Sequence, residues 1–224
     1  MKNLLIYLNP RQNFDKEHKK YAEIQIDNSL QYCHPKDLIM ITNFPYKYHN
    51  IKAIEVPNNL FCEADEKASK VNAIIYAITN KLVDELTWFH DMDAWQISPI
   101  DLKVNKDLGL TDYGWKMKWN TGSFFFKPKT LDIFKLLKNE VYKQQANEEP
   151  ILWELTKKNV DNINDRIERL NITYNLGKRR IKENLEKAEK PVKVAHFHPY
   201  REDLLNKFKL IIPNDLYQLM YDRK

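Results

Sequence analysis

Apolar and polar positions follow two periods along this chain, and the period changes several times in the first hundred residues. Residues 3–8 (NLLIYL) and 37–42 (DLIMIT) are short, nearly continuous apolar runs, the length of buried strands and too short for helices. Residues 17–32 between them read as a helix. Residues 51–56 (IKAIEV) alternate with period two, which predicts a third strand. Across residues 65–82 the apolar positions Ala68, Val71, Ile74, Ile75 and Ile78 recur at helical spacing, so a helix is expected to lie on the sheet. Residues 86–90 (LTWFH) then form a short strand rich in aromatics. This alternation predicts an α/β domain with a mostly parallel central sheet and helices on both faces.

The second half is less regular. Residues 115–119 (WKMKW) alternate bulky and charged side chains, and residues 123–126 (SFFF) read as a buried strand. Helices are expected near 131–142 and 149–158, a late strand over 191–197 (PVKVAHF), and a closing helix over 214–221. There is no internal repeat and no low-complexity segment.

Composition narrows the class. The chain has 224 residues, 43% hydrophobic and 30% charged, an ordinary globular make-up for one domain with its own core. No apolar run approaches the roughly 18–20 residues needed to span a bilayer. The apolar run near the first residue is too short for a signal peptide, and it is followed by no small-residue cleavage site. Cys33 and Cys62 are the only cysteines, so a disulfide framework is not expected, and the chain reads as cytoplasmic. The formal charge of +5 is unevenly placed: residues 178–193 (KRRIKENLEKAEKPVK) carry seven basic and three acidic side chains. Such a stretch is either a solvated helix with i,i+4 pairs or a basic face for an acidic acceptor, an anionic lipid surface or nucleic acid. Four glycines leave neither GxGxxG nor GxxxxGK[ST], which excludes a dinucleotide-binding turn and a P-loop. A phosphorylated ligand would need its charge neutralised in another way, and a metal ion is the obvious substitute.

Asp91-Met92-Asp93 stands immediately after the strand at 86–90, where ligands of open α/β sheets gather. Two carboxylates at i and i+2 in a turn can face one hard cation, and Mg²⁺ or Mn²⁺ held this way keeps positions open for phosphate oxygens. Further along come Asn120-Thr121-Gly122-Ser123-Phe124, then Glu148-Glu149-Pro150-Ile151-Leu152, and finally Val194-Ala195-His196-Phe197-His198-Pro199. In this order the motifs resemble GT-A glycosyltransferases, especially the retaining family of glycogenin and the bacterial lipopolysaccharide glucosyl- and galactosyltransferases. There a DxD ends a strand, an Asn-Ser/Ala-Gly strand and an Asp-Gln helix start follow, and a late His strand adds a metal ligand.

The resemblance covers residues 1 to 200 in motif order. It implies a GT-A-like catalytic domain over 1–200, with a nucleotide-binding half over about 1–95, an acceptor half over about 96–200, and a helical extension over 201–224. It implies transfer of a hexose or deoxyhexose from a nucleotide diphosphate sugar, a UDP-sugar first, to a hydroxyl of a glycan, glycolipid or protein-linked sugar. The metal would sit on Asp91, Asp93 and His196, with His198 as the fallback two residues on. Asn9, Lys70, Asn120 and Gly122 match donor-contacting positions, Gly122 allowing close approach of the chain to the sugar. If the reaction inverts, a carboxylate base is required; Glu148 and Glu149 are the candidates, with Asp112 next. Tyr113, Trp115 and Trp119 could stack on an acceptor sugar or simply fill the core.

The departures are specific. Glu148-Glu149 stands where the family has Asp-Gln, and the family's terminal Lys-Pro-Trp is replaced by His198-Pro199-Tyr200-Arg201, with Arg201 as a substitute cation. Residues 178–193 are compatible with peripheral membrane contact, and nucleic acid is the weaker partner. The rival readings are a non-catalytic GT-A-like binding module, a sugar nucleotidyltransferase and a metal-dependent phosphodiester hydrolase. The nucleotidyltransferase would open on a Gly-rich loop, where this chain has Leu8-Asn9-Pro10-Arg11-Gln12. The hydrolase normally needs more clustered Asp and His ligands than are visible here. The chain could also be one domain of a larger polypeptide.

Overall fold

A computed structural model describes residues 1–222; Arg223 and Lys224, the end of the expected extension, lie outside the described residues. The first half runs β1 (Lys2–Tyr7), α1 (Lys16–Ser29), β2 (Leu38–Thr42), β3 (Lys47–Tyr48), β4 (Ile51–Lys52), β5 (Ile54–Glu55), α2 (Ser69–Thr79) and β6 (Thr87–His90). Next come β7 (Ala94–Gln96), β8 (Leu108–Asp112), β9 (Trp119–Phe126), α3 (Leu131–Gln144), α4 (Glu148–Lys157), α5 (Ile163–Arg166) and β10 (Ile167–Arg169). The chain closes with β11 (Leu176–Gly177), α6 (Ile181–Lys187), β12 (Val194–His196), α7 (Glu202–Phe208) and α8 (Asn214–Asp222).

Seven strands form the central sheet in the order β10-β8-β9-β6-β1-β2-β5. All pairs are parallel except the two made by β9, which runs antiparallel to both β6 and β8. The expected mostly parallel sheet is present, and its one reversed strand brings residues 119–122 to the end of the sheet where β6 releases Asp91. Successive residues of a strand face opposite ways, so Leu4 packs with α2, α3 and α4 while Leu5 packs with α1, α7 and α8. Phe124 and Phe126 join the first core and Phe125 a smaller cluster on the other side. Helices cover both faces.

The helices start where their caps dictate. Asp15 accepts from the N–H groups of Glu17 and His18 at the head of α1, and Asn147 accepts from Glu149 N at the head of α4, which fixes where its two glutamates point. No helix among the described residues is long and apolar enough to cross a membrane.

Several expected elements differ in detail. Residues 51–56 do not make one strand: β4 pairs with β3 and β5 with β2, with Ala53 between them donating to Tyr46 O at 3.0 Å. The late strand is only three residues and leaves the central sheet; β12 sits between β11 and β7 in a small sheet of its own. Residues 115–118 are a loop despite their alternation, and β9 begins at Trp119. Of the basic stretch at 178–193, only residues 181–187 are helical.

Candidate functional site

A cleft of about 1330 Å³ opens where β6 and β12 end and β9 begins. Its floor is the turn after β6. Asp91 N donates to Gly122 O at 2.8 Å, Ala94 N to Asp91 O at 3.0 Å, and Phe197 N to Asp93 O at 2.9 Å. These bonds clamp the turn between β9 and β12 while buried Met92 anchors it from below. His90 points the other way: it stacks on Trp88 at 3.9 Å, its Nε2 meets Asn3 Oδ1 at 2.8 Å, and burial pushes its pKa down to about 3. It is a neutral core histidine.

Asp91, Asp93 and His196 converge, with one ligand atom from each lying within 4.8 Å of the others. His196 Nε2 is 3.2 Å from Asp93 Oδ1, and His198 Nε2 is 3.3 Å from Asp93 Oδ2. The tautomer of His196 follows from Asn175, whose Nδ2 donates to Asn120 O and Ser123 O. That leaves Asn175 Oδ1 to accept from His196 Nδ1 at 2.9 Å. Nδ1 therefore carries the proton, and in the neutral ring Nε2 turns a lone pair on a carboxylate. Two acceptors face each other, which requires a proton or a cation between them. Without a cation the proton wins. Burial works against the imidazolium, but Asp93 outweighs it and raises the pKa of His196. Burial likewise pushes Asp93 up, and His196 and His198 overcome it and hold that carboxyl well below its usual range. Asp91 is raised, by burial first and against the pull of Lys70. A set of two carboxylates and one neutral imidazole with a fixed outer partner suits a divalent cation such as Mn²⁺ or Mg²⁺.

Lys70, on the first turn of α2, lies beneath this group with 10% of its side chain exposed. Its Nζ is 3.3 Å from Asp91 Oδ1 and 3.0 Å from Glu148 Oε1, and it donates to Thr121 O at 3.1 Å. Burial disfavours the ammonium, yet Asp91 and Glu148 outweigh it and raise its pKa. Glu148 is 3% exposed, with Oε1 shared between Lys70 and Thr121 Oγ1. Glu149 is half-buried at the cleft, its Oε1 accepting from Thr121 N at 3.0 Å and its Oε2 from Tyr113 OH at 2.6 Å.

The other expected site residues divide. Asn9 and Asn120 line the cleft, with Asn120 Oδ1 accepting from Gly122 N. Gly122 lines it too, but the space it leaves is filled by the protein: a Cβ there would lie 2.0 Å from His196 Cε1, so the glycine makes room for the imidazole. Asp112 does not line the cleft; its carboxylate is engaged by Arg169 and by Gly114 N in its own turn. Arg201 does not reach the cleft either and pairs with Asp203. The cations that do line it include Lys178 and Arg179, which opened the basic stretch. Of the three aromatics, Tyr113 and Trp115 line the cleft while Trp119 is buried, its Nε1 bonded to Thr156 Oγ1. Asn175 carried no sequence signal, because nothing in its spacing ties it to a histidine 21 residues on.

Comparison with models of known families finds no match, and a search of curated protein sequences finds none. Solved structures do match. A glycosyltransferase involved in glycosylation of the major capsid of PBCV-1 aligns over 94% of this chain and 99% of its own at 14% identity, with a TM-score of 0.57. The galactosyltransferase LgtC, solved with donor and acceptor sugar analogues, aligns over 99% and 96% at 12% identity and 0.63. Mouse xyloside xylosyltransferase 1 aligns over 88% and 97% at 11% identity and 0.52. The chain has the GT-A fold of these proteins.

Proposed function

We propose that this protein is a metal-dependent glycosyltransferase that moves a sugar from a nucleotide diphosphate donor to a hydroxyl of a glycan. The observation that carries the reading is the convergence of Asp91, Asp93 and His196 at the mouth of β6, in the fold shared with the glycosyltransferases above. A divalent cation on these three residues would supply positive charge to the diphosphate as the glycosidic bond breaks.

The chain's own residues do the rest. Lys70 is held charged by Asp91 and Glu148 and donates to Thr121 O, placing an ammonium at the cleft floor. Asn120, at the start of β9, lines the cleft where the donor sugar would lie, and Gly122 makes room for the His196 imidazole. Glu148 is a structural partner of Lys70, too deeply buried to meet an acceptor. Glu149 is the carboxylate that faces the cleft, oriented by Tyr113 and Thr121, and it is our candidate to take the acceptor's proton if the reaction inverts. UDP-sugars are the first donors to try.

The test is a thermal-shift panel of UDP-, GDP-, CMP- and dTDP-sugars, each with Mn²⁺ and with EDTA. A ligand at about 100 times its dissociation constant adds roughly 2.7 kcal/mol, on the order of 5–10 °C for a domain of this size. One nucleotide should give a metal-dependent rise that Asp91→Asn and Asp93→Asn abolish while still melting cooperatively. A panel with no rise at all would sink the reading and favour a binding module with another ligand.

A further inference from the structure

One wall of the cleft carries charge that the donor site does not account for. It is made of two segments, residues 113–118 between β8 and β9 and residues 177–180 from the end of β11 to the start of α6. The two are tied together. Asn184 Nδ2 donates to Tyr113 O at 3.1 Å and to Arg179 O at 3.2 Å, and Lys187 Nζ donates to Gly114 O at 2.6 Å. Left-handed backbone at Gly114 (φ +73°) and Arg180 (φ +50°) sets the two turns.

Lys116, Lys118, Lys178 and Arg179 all line the cleft, and none of them has an ion-pair partner among the described residues. The acids of the cleft floor cannot neutralise them from where they sit. Asp91 and Glu148 are engaged by Lys70, Asp93 by His196, and Glu149 by Thr121 and Tyr113. Four unneutralised cations on a concave wall focus a positive potential into it. Set among them is an aromatic surface. Trp115 has Lys116 Nζ 5.2 Å and Arg180 Cζ 5.5 Å from its ring centroid, and Tyr113 lies 6.4 Å away. Beside Lys178, a Cβ added to Gly177 would meet nothing within 4 Å, so the floor of this wall is open space next to the strand that carries His196.

We infer that this wall receives an acceptor that is itself anionic, a sugar bearing a carboxylate or a phosphate. Its ring lies on Trp115 and its charged group is met by Lys116, Lys118, Lys178 and Arg179. The inference rests on the glycosyltransferase reading, from which it takes the existence of an acceptor. The cation that Asp91, Asp93 and His196 would hold is the donor diphosphate's counter-charge, which leaves the wall's four cations for the acceptor.

The test is equilibrium binding to the full chain, followed by tryptophan fluorescence. Methyl glucuronide, glucose 6-phosphate and methyl glucoside serve as probes, each with and without Mn²⁺ and the nucleotide that raises the melting temperature. At least one anionic sugar should bind about tenfold more tightly than the glucoside, the worth of a charge-assisted contact. Whichever of the two is preferred names the group the acceptor carries. The preference should fall below about threefold in K178Q/R179Q and in K116Q/K118Q. The nucleotide-induced rise in melting temperature should be unchanged in both variants. Equal binding of all three sugars would overturn the proposal. Loss of the nucleotide's effect with the sugar preference intact would also overturn it, by assigning the wall to the donor diphosphate. If no nucleotide stabilises the parent chain, the glycosyltransferase reading fails instead, and the sugar series without nucleotide still decides whether the wall selects anions.

Discussion

Because Asn175 directs its amide hydrogens to the carbonyls of Asn120 and Ser123, it can only accept from His196, and the imidazole is left with one lone pair aimed at Asp93. Asn175→Leu removes that constraint without touching a ligand. Mn²⁺ affinity, read by titration of the melting temperature, should weaken by about 10–100-fold, as for other outer-shell partners of metal ligands. Lys70 makes a second prediction. Lys70→Met leaves Glu148, 3% exposed, without its counter-charge, so urea unfolding should show a loss of about 3–5 kcal/mol. The double variant Lys70→Met/Glu148→Gln should recover part of it, since the uncompensated charge is then gone. At this scale the sequence revealed the residues with distinctive chemistry in a distinctive place: two aspartates after a strand, and one histidine at the end of a late strand with a second just past it. It did not reveal Asn175, nor that Asp112 and Arg201 would be engaged by Arg169 and Asp203, because amides and surface charges carry no periodicity and find their partners only after folding.

Among the elements, β9 carries the most for the site. All eight of its residues are buried, and its antiparallel course between β6 and β8 brings Asn120, Thr121 and Gly122 beside Asp91. Its aromatic run, SFFF, made the strand visible in the sequence. β8 was not visible, since Gly109 interrupts its short apolar pattern; Leu170 packs into the space the glycine leaves, where a Cβ would lie 2.9 Å from its Cδ1. Beyond residue 200, α7 and α8 are packed elements. Phe208 stacks on Phe197 with ring centroids 4.2 Å apart, and Leu204, Leu216 and Met220 fill the same core as Leu5 and Trp95. Phe208→Ala should therefore cost about 3–5 kcal/mol in urea unfolding. A loss below about 1 kcal/mol would show that residues 201–222 are an appendage after all.

For the molecule as a whole, stability in acid is tied to a carboxylate far from the cleft. Asp107, at the head of β8, lies 2.5 Å from Lys129 Nζ before α3 and 2.9 Å from Arg166 Nε before β10. Burial would raise its pKa, but Lys129 and Arg166 prevail and hold it below the usual range. The unfolded chain therefore takes up this proton first, so the stabilisation is complete above about pH 5 and is lost as pH falls through about 4 and below. Asp107→Asn should lower the melting temperature at pH 7 and differ progressively less from the parent as the buffer is taken towards pH 3. The alternation of strand and helix was enough to foresee the sheet and its two covered faces. The small β11-β12-β7 sheet was not foreseen, since strands of two or three residues leave no pattern to read.

That small sheet has a free side on β7, and α1 lies against it. Gln25 Nε2 donates to the carbonyls of Met92 and Ala94, and Asn28 Nδ2 to that of Gln96. Two amides on consecutive turns of the helix thus do for β7 what a neighbouring strand would have done. The edge next to the metal-binding turn is thereby closed to backbone pairing with a second molecule. Apolar replacements at Gln25 and Asn28 would keep the helix amphipathic yet leave those buried carbonyls without a donor, so urea unfolding should show a loss of about 1–3 kcal/mol for each position.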